Sequence, residues 1–165
     1  MEAETDPDDF ASFYGGARDR IVAGLAVFCG DWDAASDASS EAFTRACERW
    51  RRVSKMERPE GWVYRVGVNV LQRQRRRKAI EKRALERVPA APSESGPIID
   101  DELWNAVRGL PERQREAIAL RYVVGLTQAE IAAAMRIAPG TVAATLAHAR
   151  SALAGRLANE AEVKG

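Results

Sequence analysis

Apolar side chains recur three and four residues apart along most of the chain, and no stretch alternates with a period of two for long enough to form a strand. The pattern therefore predicts an all-α protein. Phe10, Phe13, Tyr14, Ala17, Ile21 and Leu25 form a first helical stripe, and Ala38, Ala42, Phe43, Ala46 and Trp50 a second within residues 33–50. Arg58-Pro59-Glu60-Gly61 breaks the rhythm. A third helix is predicted from Trp62, with Trp62, Val63, Val66, Val70 and Leu71 on its apolar face, and past Leu71 that face gives way to Gln72-Arg73-Gln74-Arg75-Arg76-Arg77-Lys78. Pro89-Ala90-Ala91-Pro92-Ser93-Glu94-Ser95-Gly96-Pro97 cannot continue a helix and has little to pack, so it reads as a linker. The expected architecture is two small helical domains, 1–88 and 101–165, joined by a flexible linker over 89–100.

Residues 110–157 carry the most specific local signal. Thr127 and Glu130 stand at the spacing of a capping box, with Leu126 and Ile131 at the two positions of a hydrophobic staple. After the short break Arg136-Ile137-Ala138, Pro139 suits the first position of a new helix, where no backbone donor is needed. Val142, Leu146, Ala149 and Leu153 then form one buried stripe. Two short helices separated by a tight turn, the second opening on small residues, match the geometry that enters a DNA major groove. An ordinary helical hairpin is the bland reading of the same residues.

Composition narrows the function. With 46% hydrophobic and 30% charged residues, the 165-residue chain suits a globular protein. No apolar run approaches a membrane span, and the acidic stretch Met1 to Asp9 lacks the pattern of a signal peptide, so a cytoplasmic location without membrane insertion is expected. Cys29 and Cys47 are too few for a disulfide framework, and with His148 as the single histidine no metal site is expected. No cofactor, small-molecule substrate or catalytic residue is expected either: there is no Gly-rich phosphate loop and no nucleophile beside a base.

The net charge of +1 conceals segregation. Residues 1–41 hold ten acidic side chains against Arg18 and Arg20, whereas residues 42–88 hold fifteen basic ones against five acidic. One strongly basic block in a near-neutral chain points to a localised polyanion contact. Like charges three and four apart on a helix repel, a cost that a phosphate backbone would offset through counterion release. The preceding segment Trp50-Arg51-Arg52-Val53-Ser54-Lys55-Met56-Glu57-Arg58 sets cations beside an aromatic, which suits single-stranded nucleic acid; for Trp50 and Trp62 taken singly, core anchor is the favoured reading.

Both halves together resemble the small, extracytoplasmic-function type of the sigma-70 family, from Asp9 to Leu157. The C-terminal half carries it in Leu110-Pro111-Glu112-Arg113-Gln114-Arg115-Glu116, Leu120-Arg121-Tyr122, Gly125 to Ala132 and Gly140-Thr141-Val142, which are similar to the family's domain 4. Ala35 to Phe43, Pro59 to Val66, Asn69 and the Arg75-Arg76-Arg77 run are similar to domain 2. The resemblance implies a non-enzymatic sigma factor whose partners are core RNA polymerase, promoter DNA and an anti-sigma factor. It implies that Asp37, Ser40, Glu41 and Phe43 dock on the β′ clamp. Trp50, Arg51, Arg52, Lys55, Arg58, Trp62, Arg65, Asn69, Arg73, Arg76 and Arg77 would melt and hold the −10 element. Domain 4 would sit on the β flap and offer Arg136, Thr141, Ala143, Ala144, Thr145, His148 and Arg150 to the −35 element, while the linker passes through the RNA exit path.

The chain departs from the family pattern at several of these positions. Ser40 replaces a glutamine, Arg73 an aspartate, and Ala143, Thr145 and His148 stand where lysine and arginines are typical. Alanines cannot make the base contacts that carry roughly 1–3 kcal/mol of discrimination each, so weak or unusual −35 recognition is expected. A helix-turn-helix regulator that never joins polymerase, or a sigma paralogue acting through protein contacts, are the alternative readings.

Overall fold

The computed structural model describes residues 7–85 and 101–163, all-helical apart from short connections. The expected linker, 89–100, lies outside the described residues.

Helix α1, Pro7–Cys29, carries the first predicted stripe into the core: Ala17, Ile21, Leu25 and Phe28 are buried. Helix α2, Trp32–Glu48, starts where the Asp31 side chain accepts from the Ala34 amide at 3.0 Å, satisfying one of the donors that a helix start leaves free. It stops short of the predicted end. At Arg49 the backbone turns to φ −118°, and Trp50–Val53 form a separate turn, α3. Helix α4, Pro59–Leu85, begins earlier than predicted, inside the segment read as a break. Proline at a first helical position removes a donor that would be unpaired in any case, so the Pro59-Glu60-Gly61 signal is a helix start.

In the C-terminal half, α5 spans Asp101–Arg108 and α6 Glu112–Ile118. The chain then continues through a turn of π-helix, Ala119–Val124, which ends at Gly125 with φ 84°, a left-handed conformation that favours glycine. Helix α7, Gln128–Met135, has the predicted capping box complete: Thr127 Oγ1 accepts from the Glu130 amide and Glu130 Oε2 from the Thr127 amide. Leu126 and Ile131 are fully buried, as the staple requires. Helix α8, Pro139–Val163, buries Val142, Leu146 and Ala149 and half-buries Leu153.

The halves do not stand apart as the linker suggested. α1 packs against α6 and the π-helical turn, α4 packs against α7, and one hydrophobic cluster runs through both halves. Gly24 makes this possible. A Cβ there would stand 2.9 Å from Val124 Cγ2 and 3.2 Å from Tyr64 Cε2, so its missing side chain lets α1, α4 and the π-helical turn meet at one point. Leu120, Val124 and Leu126 are fully buried in this cluster, and full burial of side chains of this size contributes about 1.5–3 kcal/mol each.

Candidate nucleic-acid and polymerase interfaces

The basic block is a surface. Arg51, Arg52 and Lys55 are exposed on α3 and the turn after it, and Asn69, Arg73, Arg76 and Arg77 are exposed along α4. Trp50 is different: only 8% exposed, it stacks on Phe13 at 4.9 Å between centroids and meets Phe10 edge-on at 5.2 Å. The reading of Trp50 as a nucleic-acid platform is corrected by this geometry. Three aromatic rings in van der Waals contact leave no ring face for a base, and the core reading holds.

Trp62, Arg58 and Arg65 are half-buried, and with Met56 and Gly61 they line a groove of about 370 Å³ whose other wall is α7. Arg58 donates to Glu130 Oε2 at 3.4 Å and to Glu60 Oε2 at 3.3 Å. Burial holds the Arg65 guanidinium below its ordinary pKa, and the nearby Arg136 guanidinium adds to the effect. Two residues expected to touch different promoter elements are thus neighbours.

On α2, Asp37 and Ser40 are exposed and Glu41 half-buried. Ser40 Oγ donates to the Ser36 carbonyl at 3.0 Å, and Glu41 accepts from both Arg45 and Arg73, the latter at 2.7 Å. Phe43 corrects the expectation. At 3% exposure it lies against Tyr14 and Phe13, turned into the core while Asp37 and Ser40 stay exposed, and its role is packing. One helix cannot point an aromatic both into the core and at a partner.

The helix-turn-helix exposes Thr141, Ala143, Ala144, His148 and Arg150, with Thr145 half-buried and its hydroxyl donating to the Thr141 carbonyl at 2.7 Å. Gln128 Nε2 donates to the Pro139 carbonyl at 2.8 Å and ties α7 to the start of α8. Arg150 Nη1 donates to the Tyr122 hydroxyl at 3.1 Å. Arg136 closes α7 at φ 56°, the one non-glycine residue in the left-handed region among those described; such a conformation costs an L-residue roughly 1–2 kcal/mol.

Residues that the pattern of apolar positions did not single out also matter. Arg115 donates to the carbonyls of Phe28, Arg108 and Leu110, and Arg75 pairs with Glu112 at 2.8 Å across the two halves. Glu116 is pushed up to about 7, chiefly by burial. Among the described residues no group of histidine, cysteine and carboxylate side chains has the arrangement of a metal site. No helix among them is long and apolar enough to cross a membrane.

Two family profiles match, sigma-70 region 2 over residues 14–80 and sigma-70 region 4 over residues 100–153. The structure is similar to that of the sigma factor RpoE from Bartonella quintana, solved with the anti-sigma factor NepR: TM-score 0.77 and 21% identity over 91% of this chain and 97% of that one. It is also similar to CnrH, solved with the cytosolic domain of CnrY, with TM-score 0.60 and 20% identity over 93% of this chain and 90% of the other. At that identity the neighbours speak for the fold, and the sequence profiles for the family. With both regions in order along it, the chain belongs to the sigma-70 family of RNA polymerase sigma factors.

Proposed function

We propose that this sigma factor reads its promoter through two separate surfaces while docked on core polymerase by a third. The observation that carries this reading is the exposed cationic face from Arg51, Arg52 and Lys55 along α4 to Arg76 and Arg77, because a single-sign surface of this length is neutralised most simply by a nucleic-acid backbone. It takes the single strand of the −10 element. Trp62 and Arg65 are the side chains placed to hold an extruded base, whose unstacking costs a few kcal/mol. The N-terminal turn of α8, with Thr141, Ala143, Ala144 and Thr145, faces the −35 major groove, and Arg136 and Arg150 flank it.

Asp37, Ser40 and Glu41 make the acidic docking face for the β′ clamp, and the C-terminal half rests on the β flap. Glu41 links docking to DNA binding, since the same carboxylate anchors Arg73. Catalysis belongs to the polymerase. An anti-sigma partner would have both halves within reach as one body, consistent with the anti-sigma complex in which the similar sigma factor RpoE was solved.

Run-off transcription by core polymerase plus this chain, from fragments carrying paired −10 and −35 elements, tests the reading. Start sites that depend on the added protein are expected. A protein that shifts DNA but neither co-purifies with core enzyme nor supports a transcript would overturn it in favour of a helix-turn-helix regulator.

A further inference from the structure

Val142, Leu146 and Ala149 are buried. With 3.6 residues to a turn, their burial sets the phase of α8 and turns Ala143, Ala144, Ala147 and His148 outward; all four are exposed. Gln128, donating to the Pro139 carbonyl at 2.8 Å, ties α7 to the first turn of α8 and so fixes which face is presented. Ala143 and Ala147 stand one turn apart, about 6 Å along the axis. That length covers two neighbouring base pairs at about 3.4 Å each.

The polar groups around this face have partners within the protein. Thr145 gives its hydroxyl proton to the Thr141 carbonyl at 2.7 Å, which leaves the Cγ2 methyl as the free group of that side chain. Gln128 spends a side-chain N–H on Pro139, and Arg150 spends one on the Tyr122 hydroxyl at 3.1 Å. From Thr141 to Ala147 no side chain carries an amide, an amine or a guanidinium. What this turn offers to the floor of a major groove is therefore methyl groups.

Among the groups that base pairs display in the major groove, the thymine C5 methyl is the apolar one; guanine and cytosine present acceptors and a donor. Covering those polar edges with alanine would strip their water and return no hydrogen bond, which is unfavourable. We propose that the first turns of α8 read thymine methyl groups. Ala143, Ala144, Ala147 and the Thr145 methyl are then the specificity determinants of the −35 element, selecting two adjacent A·T pairs and rejecting G·C pairs there. The inference rests on the assignment of this turn to the −35 groove. Each thymine methyl removed from water against the protein is expected to improve Kd about three- to fourfold. The readout is thus a sum of modest contacts with no single dominant one.

Deoxyuridine supplies the test, because it lacks the C5 methyl of thymidine and keeps every hydrogen-bonding group. Core polymerase carrying the full-length chain is offered promoter fragments recovered by run-off transcription, with the −35 block randomised, and the retained fragments are sequenced. Enrichment of adjacent thymines is expected. Replacing either selected thymine by deoxyuridine is expected to raise Kd about three- to fourfold, and replacing both about tenfold. Deoxyuridine at thymines of the spacer should leave Kd unchanged. Where cytosine has been placed at a selected position, 5-methylcytosine should recover part of the affinity. Ala144→Arg, at an exposed position, is expected to abolish the deoxyuridine effect at one position and shift selection there towards guanine.

Equal Kd for thymine and deoxyuridine fragments, in a complex whose binding still depends on the −35 block, would overturn the methyl readout and leave the groove assignment standing. Selection of guanine-rich blocks by the unmodified chain would do the same. A deoxyuridine effect that persists undiminished at every position in Ala144→Arg would trace the loss to the DNA itself, and the readout would fall. Binding indifferent to the whole −35 block would remove the groove assignment, and the readout with it.

Discussion

The Arg115 guanidinium reaches back across the junction of the two halves and donates to the Phe28 carbonyl at 3.1 Å, closing the last turn of α1 from a residue on α6. The same fork donates to Leu110 at 2.8 Å and to Arg108 at 3.1 Å. The last carbonyls of a helix have no partner within it, and a cation there satisfies both their hydrogen bonds and the helix dipole.

Arg115→Ala is expected to lower unfolding stability by roughly 2–3 kcal/mol, because hydrogen bonds to a charged donor contribute about 1.5–3 kcal/mol. Arg115→Lys should recover less than half, since an ammonium cannot span carbonyls that lie in different directions. Urea denaturation of the three proteins checks it, and a lysine variant as stable as the parent would refute the three-carbonyl account.

Glu116 makes stability depend on pH. Its folded carboxyl titrates at about 7 and its ordinary value is 4.5, with burial the first cause, Arg113 opposing and Glu112 reinforcing. The folded chain therefore holds more protons than the unfolded one between these values, so this group's contribution falls as pH rises from about 4.5 to about 7 and is flat above. The buried phenol of Tyr64, raised by burial and then by Glu116 and Cys29, feels the same charge. Glu116→Gln is expected to flatten that segment of the profile and to stabilise the protein at pH 8, by about 2 kcal/mol at the usual 1.4 kcal/mol per unit less some solvent screening. Melting curves between pH 5 and 8 decide it.

Asp37 is exposed on α2, whereas Glu41 is tied to Arg45 and Arg73. Asp37→Lys is expected to leave the circular dichroism spectrum and melting temperature unchanged while weakening association with core polymerase about tenfold, of the order expected for like charges brought together at an interface. Glu41→Lys should weaken it further and also loosen Arg73. Undiminished association of a folded double variant would remove the docking face.

The recognition turn is poor in charge. Ala143 and Ala144 are exposed and have no hydrogen-bonding side chain, so Ala143→Lys is expected to strengthen DNA binding and to steepen its salt dependence by about one unit in the logarithmic slope. A titration of −35 duplex at several salt concentrations measures both. No gain at low salt would mean that this turn does not face the groove.

Much of the molecule is already written in its chain of residues. The capping box at Thr127 and Glu130, the staple of Leu126 and Ile131, and the stripes of α1, α2 and α8 are local features with a period of 3.6, and they stand where the spacing put them. So does the exposed basic run of α4. Misreadings occurred where a residue type has two uses: proline as breaker or helix opener at Pro59, and an aromatic as anchor or platform at Trp50 and Phe43.

What no local pattern contains is how the halves meet. The linker's composition argued for two independent modules, yet Gly24, Val124, Tyr64 and Leu126 build a shared core, and Arg58, Arg75 and Arg115 bridge to residues far along the chain. Helix position and face follow from interactions three and four residues apart, which the order of residues encodes directly. The packing of α7 beside Trp62 and Arg65 depends on complementary shape and charge between distant segments, and those exist only once the helices have come together.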